Sequence, residues 1–194
     1  MQKVRKIILA SGSPRRKELL EQIGIKFEIC KAEGEEVIIF SDPAEVVENL
    51  SVQKAREVSE KCDGDIIIGA DTVVAMDGQI FGKPKDREDA VRMLQMLQGK
   101  EHQVLTGVAV ILRNENKTIS FVEETTVSVY PMSEKQIERY IDSGEAMDKA
   151  GAYGIQGKFA AYVSGIKGDY NNVVGLPVGR LYQEVLAAGF DLLL

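Results

Sequence analysis

Apolar runs of strand length alternate with helix-length segments through the first third of this chain, which limits the folds open to it. Three such runs predict buried strands: Arg5–Ala10, Ile25–Cys30 and Ile66–Ala75. Between them we expect a short helix that begins at Pro14 and a long one from Pro43 to about Lys61. Asp77-Gly78 then predicts a tight hairpin. A sheet that combines crossover helices with a hairpin should be mixed, so the predicted fold class is α/β.

The second part of the chain predicts further strands and helices of ordinary length. We expect two helices with capping residues at Asp86 and Ser133, and a last helix over 177–188. Three strands are expected, over 104–112, 118–129 and 160–166. The sequence has no internal repeat and no low-complexity linker, so residues 1–194 should form a single domain.

Net charge and hydropathy exclude several classes of partner. The formal net charge is −6, which gives no general affinity for duplex nucleic acid, so any phosphate must bind to a local basic cluster. No apolar run approaches the roughly 18 residues of a membrane span. The basic start is followed by only a short apolar stretch over 7–10, unlike a secretory signal. We therefore expect a cytoplasmic protein without membrane contact.

Histidine and cysteine are scarce, which limits the available chemistry. The single histidine, His102, excludes zinc motifs with two histidines, and no nucleophile elbow accompanies it. We expect no catalytic role for His102. Cys30 and Cys62 lie far apart without metal-type spacing, so we expect two small apolar residues or free thiols in a reducing compartment. Catalysis would then depend on carboxylates, lysines and arginines, with or without a metal ion.

The segment Leu9–Arg16 joins a strand to a helix N-terminus, where unpaired amides and the helix dipole attract anions. It carries hydroxyl and guanidinium donors suited to phosphate: Ser11, Ser13, Arg15 and Arg16. Cations in a first helical turn are disfavoured by about 0.3–1 kcal/mol each, and a bound anion would reverse that sign. The alternative is a helix capped by Ser13 with two solvated arginines.

Asp71 lies inside an apolar strand, where an ionised carboxylate is costly unless it is paired or bound to metal. Such a residue suits a general base or a Mg²⁺ ligand, although it could also cap a turn. Lys54 falls within the apolar stripe of the long helix, so it either snorkels to solvent or reaches into a cleft. Lys83 follows the hairpin and, taken alone, would be a solvated loop lysine.

Together these segments resemble the Maf family of nucleotide pyrophosphatases. The matching stretches are residues 9–16, 69–73, 82–84, 102–104 with 106–107, 148–157 and 174–177. They follow the family's order across nearly the whole chain, so the combination is specific although each stretch alone is weak. The resemblance implies a two-lobed mixed twisted sheet flanked by helices, similar to inosine triphosphate pyrophosphatases, with the site in a cleft between the lobes.

The resemblance also implies roles for individual residues. Asp71 corresponds to the catalytic acid–base residue, and Glu36, with Asp71, to the ligands of a divalent cation, Mg²⁺ or Mn²⁺. The implied triphosphate contacts are Ser11, Arg15, Arg16, Lys54 and Lys83. The positions implied to set base preference are Arg15, Thr72 and Gln156.

The run 153–157 resembles the branch of the family that prefers dTTP and UTP. A glutamine amide has both a donor and acceptors, so Gln156 can bind the edge of uracil or thymine. We therefore expect hydrolysis of these triphosphates to the monophosphate and pyrophosphate, as house-cleaning of nucleotide pools. The alternatives are a nucleotide-binding regulator of septum formation, a pyrophosphatase for modified purine nucleotides, and a structural partner protein. A homodimer is left open.

Overall fold

A computed structural model describes residues 5–193 of the chain, and within that range seven strands and six α-helices form. The helices are α1 (Pro14–Gln22), α2 (Pro43–Lys61), α3 (Arg87–Leu97), α4 (Glu134–Ile141), α5 (Tyr170–Val174) and α6 (Val178–Ala187). The strands are β1 (Ile7–Leu9), β2 (Glu28–Ile29), β3 (Ile66–Met76), β4 (Gln79–Phe81), β5 (Glu101–Leu112), β6 (Lys117–Val129) and β7 (Val163–Lys167).

The strands form one mixed sheet in the order β2-β1-β3-β5-β6-β7, with β4 paired to β3. Parallel pairing places Leu9 of β1 opposite Ile29 on one side and Ile68 on the other. The pairs β3–β4 and β6–β7 are antiparallel. At the β3–β4 hairpin Asp77 and Gly78 both have positive φ, 52° and 75°, as a tight turn of this kind requires. The predicted α/β class with a mixed sheet and flanking helices is confirmed.

Three elements differ from the sequence prediction. The second strand is only two residues long, because Ile25, which was expected to begin it, belongs instead to the C-terminal cap of α1. Ile25 is buried, and its amide donates to the Leu20 carbonyl at 3.1 Å. The strand expected from residue 160 begins at Val163, since Lys158–Tyr162 forms a 3₁₀ turn. Helix α5 was not predicted; five residues are too few for a clear helical period.

The chain divides into two compact units. Unit 1 comprises the described residues up to Asp71, 106–123, and those from Gly175 onward, and unit 2 comprises 72–105 and 124–174. Part of the core of unit 1 is a cluster of small and β-branched residues from β1, α2, β3 and β5. The core of unit 2 is rich in aromatic rings: Phe81, Tyr140, Tyr153 and Phe159. No helix among the described residues is both long enough and apolar enough to cross a membrane.

Helix α2 approaches the sheet unusually closely, and this approach positions the site. A Cβ added to Gly69 of β3 would lie 2.5 Å from the backbone oxygen of Ser51 in α2. A Cβ on Gly107 of β5 would overlap the Val47 carbonyl. Only glycine permits this distance at both positions. The helix begins as predicted, with the Asp42 carboxylate accepting the Ala44 and Glu45 amides at 3.0 and 3.2 Å.

Candidate functional site

Lys54 and Asp71 meet where α2 crosses β3, two residues after Gly69. The Lys54 Nζ lies 2.5 Å from Asp71 Oδ1 and 2.8 Å from Glu36 Oε1. The side chains of Lys54 and Asp71 are only 20% and 14% exposed, whereas Glu36 is half exposed. The ammonium group therefore offsets the cost of holding Asp71 in an apolar strand. Of the two interpretations of Lys54, the structure supports a side chain that reaches into a polar site.

At the junction between β1 and α1, two serines and an arginine form hydrogen bonds that the sequence did not indicate. Ser13 is the N-cap residue of α1, as expected, but its hydroxyl accepts no capping hydrogen bond from the helix. Instead, Ser11 Oγ accepts from the Ser13 amide at 3.2 Å and from Arg16 Nη1 at 3.1 Å. The first turn of α1 contains no acidic residue. The positive end of the α1 dipole is therefore not offset by a carboxylate in that turn, which suits an external anion.

Arg16 links α1 to the segment that precedes α6. Its Nε donates to the Gly175 carbonyl at 2.8 Å, in addition to the bond from Nη1 to Ser11. Burial lowers the pKa of Arg16 from its ordinary value, the nearby charge of Asp71 raises it, Arg15 lowers it, and Glu36 raises it. The guanidinium stays charged at neutral pH. Arg16 therefore lies in the field of both carboxylates and also has a structural task that the sequence did not reveal.

The loop that carries Glu36 is fastened to α2 on both sides of that residue. On one side, Glu57 Oε1 accepts the amides of Glu33 and Gly34 at 2.9 and 3.0 Å. On the other side, the Gln53 side chain accepts the Val37 amide at 3.1 Å and donates to the Val37 carbonyl at 2.7 Å. Hydrogen bonding by Lys61 and by the loop amides lowers the pKa of Glu57 to about 2.

Sequence reasoning missed both of these α2 residues. Gln53 and Glu57 lie one turn apart, next to Lys54 on the helix surface, and that spacing was the available signal. It does not say what such residues contact, because polar pairs at this spacing are common on solvated helices.

Cys30 and Cys62 form a disulfide, so the expectation of free thiols is wrong. Cys30 immediately precedes the acidic loop, and its amide donates to the Leu9 carbonyl of β1 at 3.1 Å. Cys62 is the C-cap residue of α2, and both cysteines pack against the core of unit 1. They are 32 residues apart, and the pairing depends on strand register and helix length, which cysteine spacing does not report.

Lys83 and Gln156 both belong to unit 2 and are exposed. The Gly151 amide donates to the Gly82 carbonyl at 3.0 Å, so the loop carrying Lys83 lies against the segment that leads to Gln156. Thr72 directly follows Asp71 in β3, and successive side chains of a strand point to opposite faces. Thr72 therefore does not share the face of Asp71.

His102 is a buried residue of the unit 2 core. Its Nε2 lies 2.7 Å from the Tyr153 hydroxyl, and burial lowers its pKa to about 4. The imidazole is accordingly neutral at pH 7. Its environment is that of a packed core side chain, with aromatic edge contact to Tyr153 at 5.4 Å between ring centroids.

The two carboxylates near Lys54 could contribute to a metal site only together with ligands from outside the protein. Among residues 5–193, no group of three or more His, Cys, Asp or Glu side chains could hold a metal ion. Mg²⁺ is commonly held by one or two carboxylates together with substrate phosphates and waters. Glu36 and Asp71 fit that arrangement, and they do not form an all-protein cage.

The fold and this cluster define an α/β protein whose cations and carboxylates suit a phosphate anhydride. More specifically, the chain belongs to the Maf family: the model of the family described as "Maf-like protein" matches residues 6–188.

Curated relatives extend over almost the whole chain. A protein of Agathobacter rectalis named dTTP/UTP pyrophosphatase is 55% identical over 201 aligned positions, covering 95% of this chain and 98% of that protein. A protein of the same name from Bacillus anthracis is 49% identical, covering 97% of this chain and 98% of its own length. Among solved structures, the Staphylococcus aureus Ham1 protein gives a TM-score of 0.48 at 12% identity, covering 64% of this chain and 71% of that one.

Proposed function

We propose that this chain is a nucleoside triphosphate pyrophosphatase that hydrolyses dTTP and UTP to the monophosphate and pyrophosphate. The observation that carries the proposal is the contact of Lys54 with both Asp71 and Glu36, in the field of Arg16. The relatives named dTTP/UTP pyrophosphatase, about half identical over nearly full length, support the same activity. House-cleaning of nucleotide pools follows from that reaction.

In this proposal the triphosphate binds at the start of α1 and to lysine and arginine side chains. The positive end of the α1 dipole attracts the phosphate oxygens, and Ser11 adds a hydroxyl group. Arg15, Arg16, Lys54 and Lys83 supply positive charge. A triphosphate carries several negative charges and its cleavage develops more on the leaving pyrophosphate, so this charge stabilises the transition state more than the ground state.

Asp71 acts as the general base. It takes a proton from a water molecule as the water oxygen attacks the α-phosphorus, the α–β anhydride bond breaks, and pyrophosphate leaves with the electron pair of that bond. Lys54 holds the carboxylate in position through its 2.5 Å contact. Glu36 and Asp71 would hold a divalent cation, Mg²⁺ or Mn²⁺, which supplies Lewis-acid neutralisation of phosphate charge.

Base preference depends on Gln156, with Arg15 and Thr72 as further contributors. Uracil and thymine present an N3–H donor flanked by two carbonyl acceptors, and one amide can satisfy a donor–acceptor pair of that edge. A site built on such bonds penalises a base that leaves its polar groups unpaired. Purines also present a larger ring.

The decisive experiment measures pyrophosphate release by the purified protein under one Mg²⁺ condition. We expect dTTP and UTP to give the highest kcat/KM among dTTP, UTP, CTP, ATP, GTP and ITP. Asp71→Asn should lower kcat at least ~100-fold, the low end of what a general base supplies. Asp77→Asn is the matched control, because Asp77 lies in the hairpin turn with φ 52°, which asparagine also adopts.

Each alternative predicts a different result. No pyrophosphate from any triphosphate, together with nucleotide binding, would support a non-catalytic regulator. A purine triphosphate as the best substrate would support a pyrophosphatase for modified purines. Near-normal turnover in a folded Asp71→Asn variant would refute the role of Asp71.

A further inference from the structure

Gln156 lies in a four-residue turn that displays it to solvent. The Gly157 amide donates to the Gly154 carbonyl at 3.2 Å and closes the turn. Of the two central residues, Ile155 is buried, at 8% exposure, and packs into the core, whereas Gln156 is exposed. The turn is therefore built so that the amide side chain projects outward from a fixed base.

The first residue of the turn is held by a buried tyrosine of α4. The Tyr140 hydroxyl accepts the Gly154 amide at 3.2 Å, and Tyr140 is only 2% exposed. Its ring packs edge-on against Phe159, with centroids 5.0 Å apart. Burial raises the pKa of Tyr140 to about 12, so the hydroxyl stays neutral in its bond to Gly154.

The residue after the turn is held by Glu145. Its Oε2 accepts the Lys158 amide at 2.8 Å, and Gly157 lies so close that an added Cβ would overlap the same oxygen. The Glu145 backbone carbonyl also accepts Lys149 Nζ at 2.6 Å. The Lys149 stem in turn covers Gly154, where a Cβ would lie 2.6 Å from Cδ. Residues outside the turn therefore contact both of its ends and hold them in place.

We infer that Glu145 and Tyr140 are positioning residues that set the base preference of the enzyme by fixing the 154–157 turn. The inference rests on the proposed function, in which Gln156 reads the pyrimidine edge. A side-chain amide discriminates between bases only if its donor and acceptor are held in place before the base arrives. Neither residue needs to touch the substrate, so they act through Gln156 and leave the phosphate chemistry of unit 1 unchanged.

The test compares Glu145→Ala with the conservative Glu145→Gln. Loss of the acceptor should raise KM for dTTP about tenfold while kcat changes less than about twofold, since one hydrogen bond to a charged group is lost at the base loop. The preference for dTTP over CTP should fall by a similar factor. Glutamine keeps an acceptor oxygen for the Lys158 amide, so it should restore both values to within about threefold of wild type.

Tyr140→Phe provides a second, independent variant, because it removes the hydroxyl acceptor and keeps the ring against Phe159. We expect the same rise in KM and loss of preference. Matched controls are Tyr130→Phe and Glu124→Ala, whose residues are exposed in unit 2 and should leave both parameters unchanged. If Glu145→Ala fails to fold, Tyr140→Phe and Glu145→Gln decide the question.

Amide hydrogen exchange gives a readout that does not depend on activity. The Gly154 amide should exchange at least about tenfold faster in Tyr140→Phe, and the Lys158 amide in Glu145→Ala, with the other core amides unchanged. A folded Glu145→Ala or Tyr140→Phe variant that keeps wild-type KM and preference would overturn the inference, as would an equal loss on every triphosphate through kcat. A wild-type protein without pyrimidine preference would instead contradict the proposed function.

Discussion

Replacing Arg16 with alanine tests whether this residue stabilises the fold in addition to the substrate contact proposed for it. Its Nε and Nη1 donate to the Gly175 carbonyl at 2.8 Å and the Ser11 hydroxyl at 3.1 Å. The first of these bonds joins α1 to a segment 159 residues away. Arg16→Ala leaves both acceptors with one donor fewer, so we expect the free energy of unfolding to fall.

The size of the effect follows from three contributions. Two hydrogen bonds from a charged donor are worth about 3–6 kcal/mol together, at about 1.5–3 kcal/mol each. Removing a cation from the first turn of α1 stabilises the fold by about 0.3–1 kcal/mol, because the helix dipole disfavours positive charge there. Removing a partly buried charge also removes its desolvation cost, about 1–2 kcal/mol, which is smaller than the several kcal/mol of a fully buried charge. The net loss is about 2 kcal/mol, or roughly 4–8 °C in Tm for a domain of this size.

The assay is thermal and urea unfolding of Arg16→Ala without nucleotide, with Lys17→Ala as the matched control. Lys17 lies one position further along α1, and its 3.7 Å ion pair with Glu21 is about half exposed, so its loss should cost at most about 1 kcal/mol. An Arg16→Ala variant with unchanged Tm but weakened nucleotide affinity would refute the structural role. It would leave Arg16 as a substrate contact alone.

Three further predictions concern the packing of α2, the buried histidine and the disulfide. Gly69→Ala should lower the free energy of unfolding by about 1–3 kcal/mol or more and reduce turnover, because its Cβ would force the Ser51 backbone and α2 away from β3. Gly179→Ala is the control: the space around Gly179 is open, so this change should not destabilise the protein. The depressed pKa of His102 means that stability is lost as pH falls from about 6.5 to about 4. Between pH 7.5 and 4.5 the free energy of unfolding, measured with urea, should fall by about 2 kcal/mol less in His102→Gln than in the wild type. Equal decreases in the two proteins would contradict this. Reduction of the Cys30–Cys62 disulfide should lower the free energy of unfolding by about 3–4 kcal/mol, given a sequence separation of 32. The reduced protein should be cleaved by protease first within residues 31–41. The stability of Cys30→Ser should not change on addition of reductant.

The elements that could be predicted are those specified by local pattern. Helix α2 begins and ends where its proline, capping aspartate and apolar stripe place it. The mixed sheet follows from strands separated first by helices and then by a hairpin. The contact between Lys54 and Asp71 was also approachable, since a charged residue in each apolar element needs a partner, and the two elements are neighbours in sequence.

The features that could not be predicted depend on contacts between distant segments. The bond from Arg16 to Gly175 crosses 159 residues, and nothing local to either residue indicates it. The disulfide requires the parallel register of β1 with β2 and the full length of α2. The bonds of Ser11 were likewise not indicated: its hydroxyl accepts from the Ser13 amide and from Arg16 Nη1, while the N-cap residue Ser13 makes no side-chain capping bond.

Helix α2 couples several parts of the candidate site, because it contributes a residue to each. Lys54 contacts Asp71, Gln53 and Glu57 hold the Glu36 loop on either side, and Cys62 ties the start of that loop to the helix end. A rigid helix transmits any tilt to all of these contacts at once. Substitutions along this face should therefore be non-additive in their effect on turnover, unlike substitutions at separate sites. The distance between α2 and β3, which Gly69 permits, becomes the structural variable that governs the arrangement of cations and carboxylates.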